Sequence, residues 1–276
     1  GVPAACADRG AMKYVGLIAL CLFLFWLLFP RKIPRFFRRL GRSVGDLGRV
    51  TKEIATGEEV ESSPLARYEV SAGETVAAKV LSEHTVSRDE ELQGLVSTIG
   101  SRLAAHALRT RIPYRFQALE SNDPKALAIP GGWVFITRPL VDLCERLPDR
   151  IAGILAHEVI HIDRRHVLRK TVASLAIRTG LRALGPAKGA ILSRLTGGME
   201  DAISRGLSQE DELEADLYGT RLAQLAGFDP TGLISVLETL AAPRPGSGRP
   251  LAEVLPYASA HPPVQLRLER LSKEWT

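Results

Sequence analysis

Apolar positions follow three patterns along this chain, and each pattern predicts a different kind of element. Tyr14 to Phe29 (YVGLIALCLFLFWLLF) is apolar without a break, between Lys13 and Pro30-Arg31-Lys32. At about 1.5 Å per residue it would span roughly 24 Å, slightly less than a ~30 Å hydrocarbon core, and the flanking cations can snorkel to close the gap. From Glu90 to Leu108, apolar residues (Leu92, Leu95, Val96, Ile99, Leu103, Leu108) recur at helical spacing, which predicts an amphipathic helix. Ile112 to Leu119 reads as a short strand, and Ala126 to Thr137 (ALAIPGGWVFIT) as strand, Gly-Gly kink, strand.

Further helices are expected from Pro139 to Arg146, from Pro148 to about Ala176, from Ser208 to Ala226, from Pro230 to Leu240 and from Leu266 to Trp275. Thr179 to Leu195 is apolar but carries Arg182, Lys188, Arg194 and Gly185-Pro186, which argues against a second membrane span. Ala242 to Pro250 reads as a loop, and the polar stretch from Gly41 to Gly73 as a tether with room for one short helix, with organised sequence starting near Thr75. The predicted class is α+β: a mostly helical domain with a small β-sheet edge, preceded by one N-terminal transmembrane helix. The predicted organisation is an N-terminal extension (1–13), a membrane anchor (14–29), a basic juxtamembrane segment and linker (30–74), and one domain (75–276).

Composition changes this picture little. The 276 residues are 45% hydrophobic and 24% charged, as in ordinary globular proteins, and the 6% aromatic content speaks against a reader that stacks bases. The net charge of +5 is concentrated in Arg31, Lys32, Arg35, Arg38, Arg39 and Arg42, directly after the apolar run. A juxtamembrane role therefore fits better than nucleic-acid binding, and no nucleic-acid partner is expected. No small-x-small cleavage site follows Phe29, so the segment is expected to stay as an anchor rather than leave as a signal peptide. Met12-Lys13 reads as a natural start, which would make residues 1–11 an upstream extension. The cations after the span favour a cytoplasmic domain by the positive-inside rule. Cys6, Cys21 and Cys144 form no CxxC pair, so neither a disulfide framework nor a cysteine zinc site is expected.

The chemistry lies in HEVIH. His157 and His161 stand four apart on a predicted helix, so both imidazoles leave one face a turn apart, as two ligands of a tetrahedral zinc would. Glu158 follows the first of them and can take a proton from an activated water without being a ligand itself. The alternative, two histidines lining a helix face, must explain a carboxylate placed among Ile151, Ile154, Leu155, Val159 and Ile162. A third ligand could come from Glu210-Asp211-Glu212-Leu213-Glu214-Ala215-Asp216, where Glu212 and Asp216 share a face and Glu214 points elsewhere. On spacing alone, a solvated acidic helix start explains that run equally well.

AHEVIHIDRRH, then SQEDELEADLYG, then HPPVQLRLERL, in that order, resemble the gluzincin peptidase family that holds HtpX, BepA and the type-one CAAX prenyl proteases, peptidase family M48. The resemblance covers roughly Thr75 to Thr276. It implies a zincin-type metallopeptidase domain that cuts protein or peptide substrates with one zinc per chain, held by His157, His161 and Glu212, with Glu158 as catalytic base. It further implies Asp216 as the carboxylate behind a ligand histidine, with His166 either in a similar supporting place or simply a hydrogen-bonded helix residue. His261 and Arg267 match the HPPxxxR segment and would stabilise an oxyanion from the opposite wall. Ala126 to Thr137 resembles the family's substrate-binding edge strand, with Ala128, Gly131, Gly132 and Trp133 beside an extended peptide. Lys125, Gln209 and Ala260 depart from the family pattern, and none of them is an expected ligand or base. The many spans of the prenyl proteases are absent, so the chain looks more like the envelope quality-control members. Several of those work outside the cytoplasm, which pulls against the charge rule. The competing reading is a non-catalytic, zinc-stapled, chaperone-like binding protein, for which Glu158 would have no use.

Overall fold

The computed structural model describes residues 64–179, 188–243, 250–253, 255 and 261–275. The expected extension, anchor and basic segment lie outside them. Among the described residues no helix is long and apolar enough to cross a membrane.

Nine helices and four strands are described: α1 (Pro64–Glu83), β1 (Thr85–Val86), α2 (Glu90–Ala104), β2 (Arg115–Glu120), β3 (Ala126–Ile129), β4 (Trp133–Thr137), α3 (Arg138–Leu143), α4 (Pro148–Asp163), α5 (His166–Thr179), α6 (Lys188–Ser204), α7 (Gln209–Leu225), α8 (Gly232–Ala241) and α9 (Val264–Trp275). The class is α+β, mostly helical with one small mixed sheet of order β1-β2-β4-β3. β2 runs parallel to β4, while β1 and β3 are antiparallel to their neighbours.

Local chemistry accounts for the elements that frame the site. Asp89 caps α2 by accepting from Leu92 N, and Leu92, Val96, Ile99 and Leu103 then bury one stripe. Pro148 opens α4, which is buried from Ile151 to Asp163 on every side. Such a helix is a core element, with α7, α2 and α8 packed around it and β3 and β4 against one flank. Ser208 caps α7 by accepting from Asp211 N at 3.1 Å. α7 approaches α4 very closely at Gly219, where a Cβ would stand 2.9 Å from the backbone N of His157. This close approach sets the acidic face of α7 against the HEVIH turn.

Three expectations need correction. The segment read as tether is helical from Pro64 to Gly73 as part of α1, where Ala72, and beyond it Val76 and Ala77, pack into the interior. The helix expected from Pro148 to about Ala176 is two helices. α4 stops at Asp163, and Arg165 takes a left-handed backbone with φ 54° before α5 begins at His166. Asp163 fixes that turn, accepting from Leu108 N at 2.8 Å, Arg109 N at 3.2 Å and Tyr114 Oη at 2.7 Å. Finally, Ala126 to Thr137 is not one edge. Of its two strands only β3 lies at a sheet edge, and β4 lies inside between β3 and β2.

Candidate metal centre and active site

His157 and His161 project from α4 into a site that is 0% and 4% exposed, their Nε2 atoms 3.0 Å apart. Glu212 enters from α7 with Oε2 3.4 Å from His157 Nε2 and Oε1 3.7 Å from His161 Nε2. These three side chains offer donor atoms all within 4.8 Å of one another. Ligands at about 2.0–2.1 Å from a tetrahedral ion stand roughly 3.3–3.4 Å apart, so the spacing suits a shared cation. Two imidazole nitrogens and a carboxylate oxygen are a donor set that zinc accepts. Their burial adds to the fit, since three polar groups in an apolar wall are costly without a common partner. The residues present therefore fit the metal that the sequence implies.

Each ligand histidine is gripped from behind. His157 Nδ1 lies 2.9 Å from Asp216 Oδ1, and Arg267 donates to Asp216 through Nε (2.8 Å) and a terminal nitrogen (2.6 Å). Arg267 is 0% exposed. This corrects the expectation that Arg267 lines the cleft opposite the ligands: a buried guanidinium committed to Asp216 stands behind His157. His161 Nδ1 lies 2.8 Å from His166 Nδ1, and His166 Nε2 lies 3.3 Å from Glu214 Oε2. Glu214, expected to point elsewhere, thus ends a chain that starts at a ligand. Glu214 on α7 meets His166 at the start of α5, just after the left-handed Arg165, and no periodicity reveals that contact.

Burial pushes the Glu158 carboxyl up to about 7, against the opposing pull of His157. The backbone N–H of Ala128 on the edge strand, like His157, favours the charged form of that carboxyl. Burial opposes protonation of His157, but its bonds to Asp216 and Glu212 outweigh it and raise the ring to about 9. Burial, with the charge of His157, holds His161 well below its ordinary value. Burial also resists the charge on Glu212 and Asp216, yet both fall well below the carboxylate range. For Glu212 the cause is hydrogen bonding from His157 and His261, and for Asp216 it is Arg267.

His261 stands over the same centre. Its Nδ1 bonds the Oε2 of Glu212, its ring centroid is 5.2 Å from that of His157, and it shares a donor cluster with His157 and Glu158. Of the four expected strand residues, Ala128 is the one whose backbone N–H acts on the Glu158 carboxyl. Gly131 and Gly132 form the β3–β4 turn with φ 87° and 101°, a backbone that only glycine adopts easily. Trp133 begins the interior strand opposite Arg115, whose guanidinium lies 4.7 Å from its ring. Sequence reasoning also missed Glu69, 0% exposed on α1, which takes a two-point bond from Arg109 at 2.7 and 2.8 Å. Arg165 reaches the same carboxylate at 3.6 Å, tying α1 to the turn between α4 and α5.

Sequence comparisons relate the chain to known proteases. The chain is 30% identical over 192 residues to the beta-barrel assembly-enhancing protease of Escherichia coli K12, covering 65% of this chain but only 38% of that protein. It is 30% identical over 184 residues to the metalloprotease YcaL of the same organism, covering 63% of this chain and 69% of YcaL. The mitochondrial metalloendopeptidase OMA1 of Schizosaccharomyces pombe is 27% identical over 181 residues, or 65% of this chain and 52% of OMA1. The model of peptidase family M48, a family of metallopeptidases, matches residues 88–275, and with more than half of its length matched the chain belongs to that family.

Proposed function

We propose that the protein is a zinc-dependent metalloendopeptidase acting on protein substrates. The observation that carries this reading is the buried trio His157, His161 and Glu212 with the unligated carboxyl of Glu158 beside it. The trio would hold one zinc ion, which when bound polarises a carbonyl and lowers the pKa of water toward ~7.

The chain's own residues do the rest. Glu158, its pKa brought near neutrality by burial, receives the proton of the attacking water and returns it to the departing amine. The edge strand β3 can accept an extended peptide as an added strand, which brings a scissile bond over Glu158 with little sequence demand. His261, beside Glu212 and His157, would donate to the oxyanion or take a further position at the metal. Arg267 and Asp216 act through His157 by fixing its ring. A chaperone-like staple would need the ligands but not Glu158, so the position of that carboxyl favours catalysis.

The relatives include a protease named for beta-barrel assembly, and the apolar segment 14–29 would place this domain beside a membrane. We therefore assign it to quality control of unfolded or misassembled envelope or membrane proteins. The test is cleavage of casein by Glu158→Gln. This variant keeps fold and metal but loses about 10²–10⁴-fold in rate. Cleavage at the wild-type rate removes Glu158 as the base.

A further inference from the structure

Nothing in the mechanism above uses Glu214. We infer that Glu214 is a positioning residue for the ligand His161, acting through His166 to decide which nitrogen of His161 carries the proton. The inference rests on the reading of His157, His161 and Glu212 as metal ligands.

A neutral imidazole has one donor and one acceptor, and an ionised carboxylate only accepts. Glu214 pairs with Arg164 at 3.3 Å and faces His166 Nε2 at 3.3 Å. His166 therefore carries its proton on Nε2 and presents Nδ1 as an acceptor. His161, 2.8 Å away, then donates from Nδ1, and its Nε2 lone pair faces His157 and Glu212. The reverse order would place an N–H on His161 Nε2, where the metal must bind. A carboxylate two rings away thus sets the ligand tautomer.

The backbone is built for this relay. Arg165 at φ 54° ends α4 one turn past His161 and returns His166, with a side chain 0% exposed, against it. Asp211 is a second carboxylate near His166 Nε2, but at 3.6 Å, and it is engaged by Arg169 at 2.8 Å and Ser208 Oγ at 2.7 Å. The Glu214–Arg164 pair is about one-third exposed, so as an ion pair it contributes little to folding.

The test is zinc affinity by chelator competition, with the visible spectrum of the cobalt-substituted protein as a second readout, on the full chain. Glu214→Gln, whose amide can donate as well as accept, weakens zinc binding about 10–100-fold and alters the cobalt spectrum. His166→Asp is the bypass. Its Oδ1 lies as many bonds from the backbone as the Nδ1 it replaces and accepts from His161 directly, so affinity stays close to wild type. Adding Glu214→Gln to His166→Asp then has no further effect, whereas a simple loss of nearby negative charge would still weaken binding. Wild-type affinity in Glu214→Gln, or an undiminished loss in the double variant, overturns the proposal. A wild-type chain that takes up no zinc instead overturns the ligand assignment, so the two failures are distinguishable.

Discussion

The two ligand histidines of α4 are one turn apart, yet the structures behind them differ in chemistry and depth. Behind His157 stands an ion pair, Asp216 with Arg267, whose side chains are 1% and 0% exposed. Arg267 comes from α9 and Asp216 from α7, so this arm also joins three helices. Behind His161 stands an uncharged ring, His166, and then Glu214, which is 30% exposed. A pocket of about 490 Å³ opens beside His166 and Asp211. The contrast teaches that one orienting task can be tied to folding or kept apart from it. Damage to the first arm should unfold the protein, while damage to the second should loosen the metal.

The largest effect is expected from Arg267→Ala. It leaves the buried Asp216 with His157 as its remaining partner and without its guanidinium, and denaturant unfolding should show a loss of about 3–5 kcal/mol. A loss below about 1 kcal/mol would erase the distinction between the arms. Gly219→Ala comes next. Its Cβ would stand 2.9 Å from the N and 3.0 Å from the Cα of His157, which are backbone atoms that cannot turn aside. Separating α7 from α4 should cost about 1–3 kcal/mol and weaken zinc binding, because Glu212, Asp216 and Glu214 all ride on α7. Glu214→Gln should leave unfolding within about 0.5 kcal/mol of wild type while zinc affinity falls, which is the behaviour that separates the arms most cleanly.

The smallest effect concerns protons in the metal-free protein. The folded value of His157 is raised to about 9, so its contribution to stability is complete below pH ~6.5 and is lost as pH rises through about 9. His161 is lowered, so the unfolded chain binds the extra proton. Its contribution has the opposite slope, gained as pH rises toward ~6.5. Nitrogen NMR of the metal-free protein at pH 7.5 should therefore show His157 protonated on both nitrogens and His161 neutral. Two neutral rings, or two charged ones, would contradict the contrast.

What the sequence reveals here is mostly what short-range geometry controls. The pair His157 and His161 is legible because the helical period fixes their common face; Glu212 and Asp216 repeat that spacing, but only the order of the three motifs, through its resemblance to family M48, separates them from an ordinary acidic helix start. The β3–β4 hairpin is legible because Gly131-Gly132 punctuates two apolar runs. Arg165 is not, since no glycine or proline marks the break. Its turn is held from outside by Asp163 against Leu108, Arg109 and Tyr114, and by Glu69 from α1. The roles of Arg267 and Glu214 are hidden for the same reason. Arg267 is defined by a carboxylate 51 positions away, and Glu214 by a histidine 48 positions away. A positive charge near a predicted cleft reads as a catalytic group until its partner is known.

Metal content of the purified chain tests the central claim most directly. Elemental mass spectrometry should find one zinc per chain in the wild type and in Glu158→Gln, and a loss of that zinc in His157→Ala. Absence of zinc from the wild type, or its full retention in His157→Ala, would contradict the account.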